Sequence, residues 1–288
     1  QPLHVGVGQN YNLRFEGGSE EFRWSASLGY KDIQGAMIGS GRKTFSGGVT
    51  LSYSYKNLTF RNQTSIGSNK SEESPYGSFS DYARQQPYNA PWTDDGKLNR
   101  YFDGWDAWET QVQNPLYDAT LGNIDKSGYV EIINNFSVEW KMSPELTLRG
   151  KFGISHTNNT SDMYKSPESS EFKDYTGDQV LRKGRYAYTT GKANTYEGNV
   201  TLSYAKVFGE VHSLYAGLDA SIAQNDSNSY GFTMEGFTND RPFIGNALNY
   251  AENDMPSASE YTTRRLGLVG NVNYVYDNRY YVDLSLRT

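Results

Sequence analysis

The chain alternates between apolar and polar positions. From Asn10 to Glu16, Tyr11, Leu13 and Phe15 fall on one face and Asn12, Arg14 and Glu16 on the other. A two-residue period of this kind is the mark of a strand with one apolar face. It returns in Phe22–Tyr30, Thr44–Tyr55, Leu58–Ile66, Val130–Trp140 and Leu146–Ile154, and again in Tyr196–Tyr204, Leu214–Ile222, Arg264–Tyr276 and Tyr280–Arg287. Roughly ten strands are predicted, several of them longer than the usual soluble length of about 5–6 residues.

The connections sort by length. Short turns at Gly17–Ser19, Lys56 and Asn57, Ser143–Glu145, Gly209–His212, and Asp277 and Asn278 alternate with longer segments at 35–42, 74–121, about 164–190 and about 225–258. Outer-membrane barrels have short turns at one end and long loops at the other, whereas a soluble sandwich has no reason to segregate them. The polar set includes Arg14, Glu139, Arg149, Lys151, Asp219 and Asp283, which suits a wet lumen. Near the short turns the apolar set ends in aromatics such as Tyr53, Tyr55, Trp140, Tyr204, Phe208, Tyr274, Tyr276 and Tyr280, as an interfacial girdle would. The pattern therefore predicts an all-β fold, a portion of an antiparallel transmembrane β-barrel with long extracellular loops. A soluble β-protein whose aromatics follow ordinary strand preference is the alternative.

The longest loop, Ser74–Leu121, follows neither period. It holds three of the chain's five tryptophans, with five tyrosines and four prolines around them. Disordered segments are poor in aromatics, so an ordered, functional loop is expected. Tyr76, Tyr82, Trp92, Trp105 and Trp108 are its candidate ligand- or partner-binding residues. The bland alternative is a small tryptophan core that holds the loop on the barrel rim.

Composition narrows the chemistry. Hydrophobic residues make up 36% of the chain and the mean hydropathy is -0.74, and no apolar run is long enough for a spanning helix. A barrel strand shows lipid only every second residue, so this does not exclude a membrane. The net charge of -6 argues against a nucleic-acid partner. There is no cysteine, and His4, His156 and His212 are far apart, so no metal or cofactor is expected. The segment 35–44 fails as a phosphate loop, because Arg42 separates Gly41 from Lys43 and a strand follows. The loop acids Asp94, Asp95, Asp103, Asp106 and Glu109 have no spacing that fixes a catalytic pair, and no enzymatic activity is expected. The segment 225–228 lacks the full spacing of a calcium loop.

Several runs resemble a known family. ESPYGSFSDYAR at 73–84 followed by Pro87 and Tyr88, and NPLY at 114–117, are similar to the barrels of SusC/RagA-type TonB-linked outer-membrane proteins of the Bacteroidetes. So are NLRFEGG at 12–18 leading into SLGY at 27–30, YKSPE at 164–168, and YVDLSLR at 281–287. The resemblance runs along essentially the whole chain. It implies a barrel of about 22 strands with a plugged lumen, energised through the TonB complex and capped by a SusD-like surface lipoprotein. It also implies an oligosaccharide or peptide ligand and a place in outer-membrane lipid. On that reading residues 1–288 are a fragment of the barrel. The signal peptide, the plug, the TonB-contacting segment and the later strands would lie outside it. A passive porin or adhesin barrel, and a soluble β-rich carbohydrate-binding domain, are the rival readings.

Overall fold

The computed structural model describes residues 2–103, 111–252 and 254–288. The alternating stretches become β1 (Gly8–Gly18), β2 (Phe22–Gln34), β3 (Gly41–Tyr55), β4 (Leu58–Glu72), β7 (Ile124–Lys141), β8 (Leu146–Lys165), β9 (Arg185–Phe208), β10 (His212–Phe237), β12 (Ser257–Tyr276) and β13 (Tyr280–Arg287). These ten strands pair antiparallel in chain order to form one sheet. A short β11 (Ala247–Tyr250) adds to β10, and β5 (Tyr101–Asp103) and β6 (Gln111–Gln113) form a separate ribbon. Two short helices, α1 (Phe79–Ala83) and α2 (Pro115–Asp118), lie in the longest connection. At the last short turn Asp277 and Asn278 both have positive φ, 47° and 52°, the type I′ geometry whose twist matches that of the flanking strands.

Register puts the two residue sets on opposite faces. On one face Phe22, Trp24, Ala26, Leu28 and Tyr30 of β2 meet Tyr53, Leu51, Val49, Gly47 and Phe45 of β3. Further along, Leu148, Leu202 and Leu218 continue the same face through β8, β9 and β10. On the other face Asn199 and Thr201 donate to Asp219 at 2.6 and 2.7 Å, and Arg149 pairs with Glu139 at 2.7 Å. Among the described residues no second layer covers the apolar face. Leu13, Val200, Leu218 and Ile222 each remain at least half exposed. Among the described residues the buried apolar side chains are Phe102, Tyr164, Phe172 and Phe237, all at the long-loop end. A face this apolar and this uncovered needs hydrocarbon against it.

The apolar belt has membrane dimensions. It runs Phe22–Tyr30 on β2, Leu58–Ile66 on β4, Leu214–Ile222 on β10 and Leu266–Tyr276 on β12, spans of about 9–11 residues, the length a transmembrane strand requires. The belt also slants across the hydrogen-bond register. Following partners from Tyr30 through Phe45, Ser68, Val130, Asn158, Lys192 and Asn228 leads to Glu260 on β12. There the belt begins only at Leu266. That displacement is about 20 Å along the strands for about 34 Å across seven of them, a tilt of about 30°, slightly below the usual 35–45° of barrel strands.

One group breaks the apolar face. Asn62 and Thr64 on β4 and Asn134 on β7 lie mid-belt, between Leu51 and Phe136. The two amides bond reciprocally at 3.2 and 3.1 Å, and Asn134 also donates to Thr64 at 2.7 Å. Polar groups facing lipid are tolerated when they satisfy one another in this way.

The strands exceed the lengths read from the sequence. β8 continues to Lys165, β9 is 24 residues long, and β10 is 26 and runs to Phe237, through a segment that sequence alone assigns to a loop from Asn225. Above the belt neither face meets hydrocarbon, so alternation fades while the hydrogen-bond ladder continues. The periodic signal marked the membrane-spanning part of each strand, not its end.

Val200 sits mid-belt on β9. Val200→Arg is expected to destabilise the folded full-length protein by about 2–4 kcal/mol, against about 1 or less for Thr201→Lys on the opposite face, read from denaturant unfolding in lipid vesicles.

Candidate functional site

The long connections pack into one body at the end of the sheet opposite the short turns. The first, between β4 and β7, is pinned at its start, where Ser74 Oγ donates to the Ile38 carbonyl at 2.6 Å. Ser78 caps α1 in a reciprocal capping box with Asp81. Tyr82, on α1, donates its hydroxyl to the Tyr76 carbonyl at 2.9 Å and the Pro115 carbonyl at 3.3 Å. Burial, then the neighbouring Tyr76, push the Tyr82 phenol up to about 12. Tyr82 therefore braces α1 against α2 and does not ionise near neutrality.

Asn114 is the centre of this loop and is fully buried, at 1% exposure. Its Oδ1 accepts from the Leu116 amide as the cap of α2, with Pro115 at the first helical position. Its Nδ2 donates to the Asn99 carbonyl at 2.6 Å and the Pro91 carbonyl at 3.3 Å. Three distant parts of the loop are thus tied to one amide.

Asp118, at the end of α2, clasps the second connection. It accepts from Ser170 Oγ at 2.6 Å, the Ser170 amide at 2.9 Å and Ser169 Oγ at 3.0 Å. Both serines are buried. Asn123 accepts from the Ser166 amide at 2.8 Å, and Arg100 pairs with Glu168 at 3.0 Å. The third connection closes on the second. Tyr164 stacks edge-on against Phe237 at 5.1 Å and donates to the Asn239 carbonyl at 3.4 Å. Arg182 grips Glu235 through two bonds of 2.5 and 3.1 Å and also pairs with Glu252.

A cleft of about 460 Å³ opens between the first and second connections, lined among others by Asp81, Arg84, Gln85, Lys165 and Glu171. Gln85 Nε2 donates to the Asp81 carbonyl at 3.1 Å, and its Oε1 is buried with no hydrogen-bond partner among the described residues.

The sequence-predicted residues separate into three groups. Tyr76 and Tyr82 are half-buried framework. Trp92 is exposed at 54% and bridges to Leu98 across a small hairpin closed by Thr93 and Lys97. In that hairpin Asp95 accepts from Thr93 Oγ1 at 2.5 Å and pairs with Lys97 at 3.0 Å; the two contacts hold its carboxyl below the usual range. Trp105 and Trp108 lie outside the described residues. Sequence reasoning missed Tyr88, which is 88% exposed beside Trp92, and the Asn114 and Asp118 hub. An Asn before Pro is a helix-start signal and would have located α2.

No family model matches the chain. It is 23% identical, over 98% of its length, to TonB-dependent receptor P39 of Formosa agariphila. Among solved structures it resembles the RagAB peptide transporter, with a TM-score of 0.76 and 19% identity over 97% of this chain. It also resembles the siderophore receptor PiuA from Acinetobacter baumannii, with a TM-score of 0.56 and 12% identity over 98% of the chain. The chain spans 26% of the curated relative, 31% of the RagAB chain and 41% of the PiuA chain.

Replacing Asp118 with Ala removes three hydrogen bonds and strands two buried serines. Hydrogen exchange in the full-length protein is expected to rise across 166–184 by one to two orders of magnitude, equivalent to about 1–3 kcal/mol, with the belt strands unchanged. The sheet has the fold of the outer-membrane β-barrel of TonB-dependent receptors, and its resemblance to the SusC/RagA type runs along nearly the whole chain.

Proposed function

We propose that the protein to which this chain belongs imports a nutrient ligand across the outer membrane, driven through TonB. The observation that carries this is the fusion of three long connections into one ordered body bearing both a polar cleft and exposed aromatics. A passive pore has no need of such a body over its mouth. Tyr88 and Trp92 project from it and offer flat faces for stacking on a ligand or partner. Chemistry is not required of the site; its work is capture and gated passage.

The lining of the cleft supports a peptide ligand. Arg84 and Lys165 share its lining with Asp81 and Glu171, a mixed-sign arrangement that suits a peptide, with its own charges and amide donors, better than a neutral oligosaccharide. RagAB is described as a peptide transporter, which supports the same reading. A SusD-like lipoprotein docked on the exposed aromatics would cover the cleft. The edge strands β1 and β13 would be sealed by the remaining strands of the barrel, since open edges are not viable in lipid.

Alanine at Trp92, Trp105 and Trp108 in the full-length receptor is expected to lower ligand capture or co-purification of a surface lipoprotein at least tenfold, the scale of about 1.4 kcal/mol. Unchanged uptake and unchanged co-purification would remove these residues from the site. Uptake that survives collapse of the proton gradient would favour the passive porin.

A further inference from the structure

The outer face of the wall carries a charged groove just above the apolar belt, away from the cleft. Lys43 on β3 and Lys70 on β4 are register partners, on the same face as Phe45 and Ile66. Phe45 closes the belt on β3, so Lys43 stands one step, about 7 Å, above the hydrocarbon, at the height of lipid headgroups. Side chains directly opposite on paired strands lie about 5 Å apart at Cβ, and like charges there repel. Lys126 on β7 lies diagonal to Lys70, because Lys70 faces Gly128 while Glu72 faces Lys126. The three lysines and Gly128 line one groove of about 960 Å³. Gly128 marks a close approach of β7 to β4, where an added Cβ would meet the Asn69 carbonyl oxygen at 2.6 Å.

The carboxylates in the groove balance this charge unevenly. Glu72 pairs with Lys126 at 3.3 Å, and Asp162 of β8, the register partner of Lys126 on its other side, also lines the groove. Asp32 reaches Lys43 only at 4.0 Å, so the carboxylates gather around Lys126 and leave the Lys43 and Lys70 pair the less balanced. Lys70 has no ion-pair partner among the described residues. Directly below, Leu28, Tyr30 and Phe45 are each at least 40% exposed and present a surface on which acyl chains can lie.

We propose that this groove binds the phosphate-bearing headgroup of an outer-leaflet lipid. Its phosphate would bridge Lys43 and Lys70, with the acyl chains along Tyr30 and Phe45. The apolar surface contiguous with the cationic pair assigns the anion to a lipid in preference to free phosphate. The proposal depends on the outer-membrane fold and not on import or its ligand.

The test uses the full-length receptor in a neutral detergent, with phosphatidylglycerol and phosphatidylcholine as probes and native mass spectrometry as the readout. The wild type should retain phosphatidylglycerol in preference, and the preference should fall as salt rises. The double variant Lys43→Gln and Lys70→Gln should lose about fivefold per lysine, the equivalent of about 1 kcal/mol each. The pair Lys43→Arg and Lys70→Arg should keep the preference, and Lys206→Gln near the short turns should not alter it. Heat-modifiable gel mobility checks folding. A salt-independent preference in the wild type, full retention by the glutamine variant, or displacement of the lipid by equimolar inorganic phosphate would overturn the proposal.

Discussion

A peptide group in hydrocarbon has no water to turn to, so each amide and carbonyl along the belt must find its partner in the next strand. The rest of the molecule follows from that requirement. It forces the ten strands into one continuous antiparallel ladder in chain order. It makes the side-chain period strictly two and so assigns each residue to lipid or lumen. It also explains why the chain can be so polar overall. Half of each strand faces water, and the apolar half is buried by lipid instead of by protein. The polar face is then free to be built from interlocked groups such as Asn199, Thr201 and Asp219.

Above the belt the constraint relaxes and a different kind of stability takes over. Among the described residues the buried side chains are few, and more than half are polar: Asn114, Ser166, Ser169, Ser170 and Glu235 alongside Phe102, Tyr164, Phe172 and Phe237. Hydrogen bonds to buried carboxylates and amides fix geometry more sharply than apolar contact does, since an unmade bond costs the full desolvation of the group left behind. The loops are held by fit, through Asp118 and Asn114, and less by the volume of apolar surface they bury.

The sequence disclosed the belt and its orientation because alternation is imposed locally, residue by residue. Leu58–Ile66 and Leu214–Ile222 coincide with the stretches where β4 and β10 face hydrocarbon. It could not disclose where β10 ends, because past Ile222 the selecting solvent is water on both faces. Nor could it separate Tyr82 from Trp92. Both are loop aromatics in sequence, and only the two carbonyls around the Tyr82 hydroxyl mark one as a brace. The clasp between Asp118 and Ser170 joins residues 52 apart, with no local pattern to announce it. The lipid-side lysines were legible as single charges, but their opposition appears only once β3 and β4 are in register.

The small hairpin at 92–98 has a consequence of its own. Its internal bonds are local, from Thr93 to Asp95 and Lys97, and its anchorage to the loop hub runs mainly through Asn99 and the Pro91 carbonyl. Residues between those anchors can be exchanged, lengthened or recharged while the clasp beneath stays intact. The hairpin tip can therefore change its chemistry while the bonds that hold the loops together stay as they are. A handful of positions thus sets what the loop tip presents to solvent, and neither the wall nor its fastening depends on them.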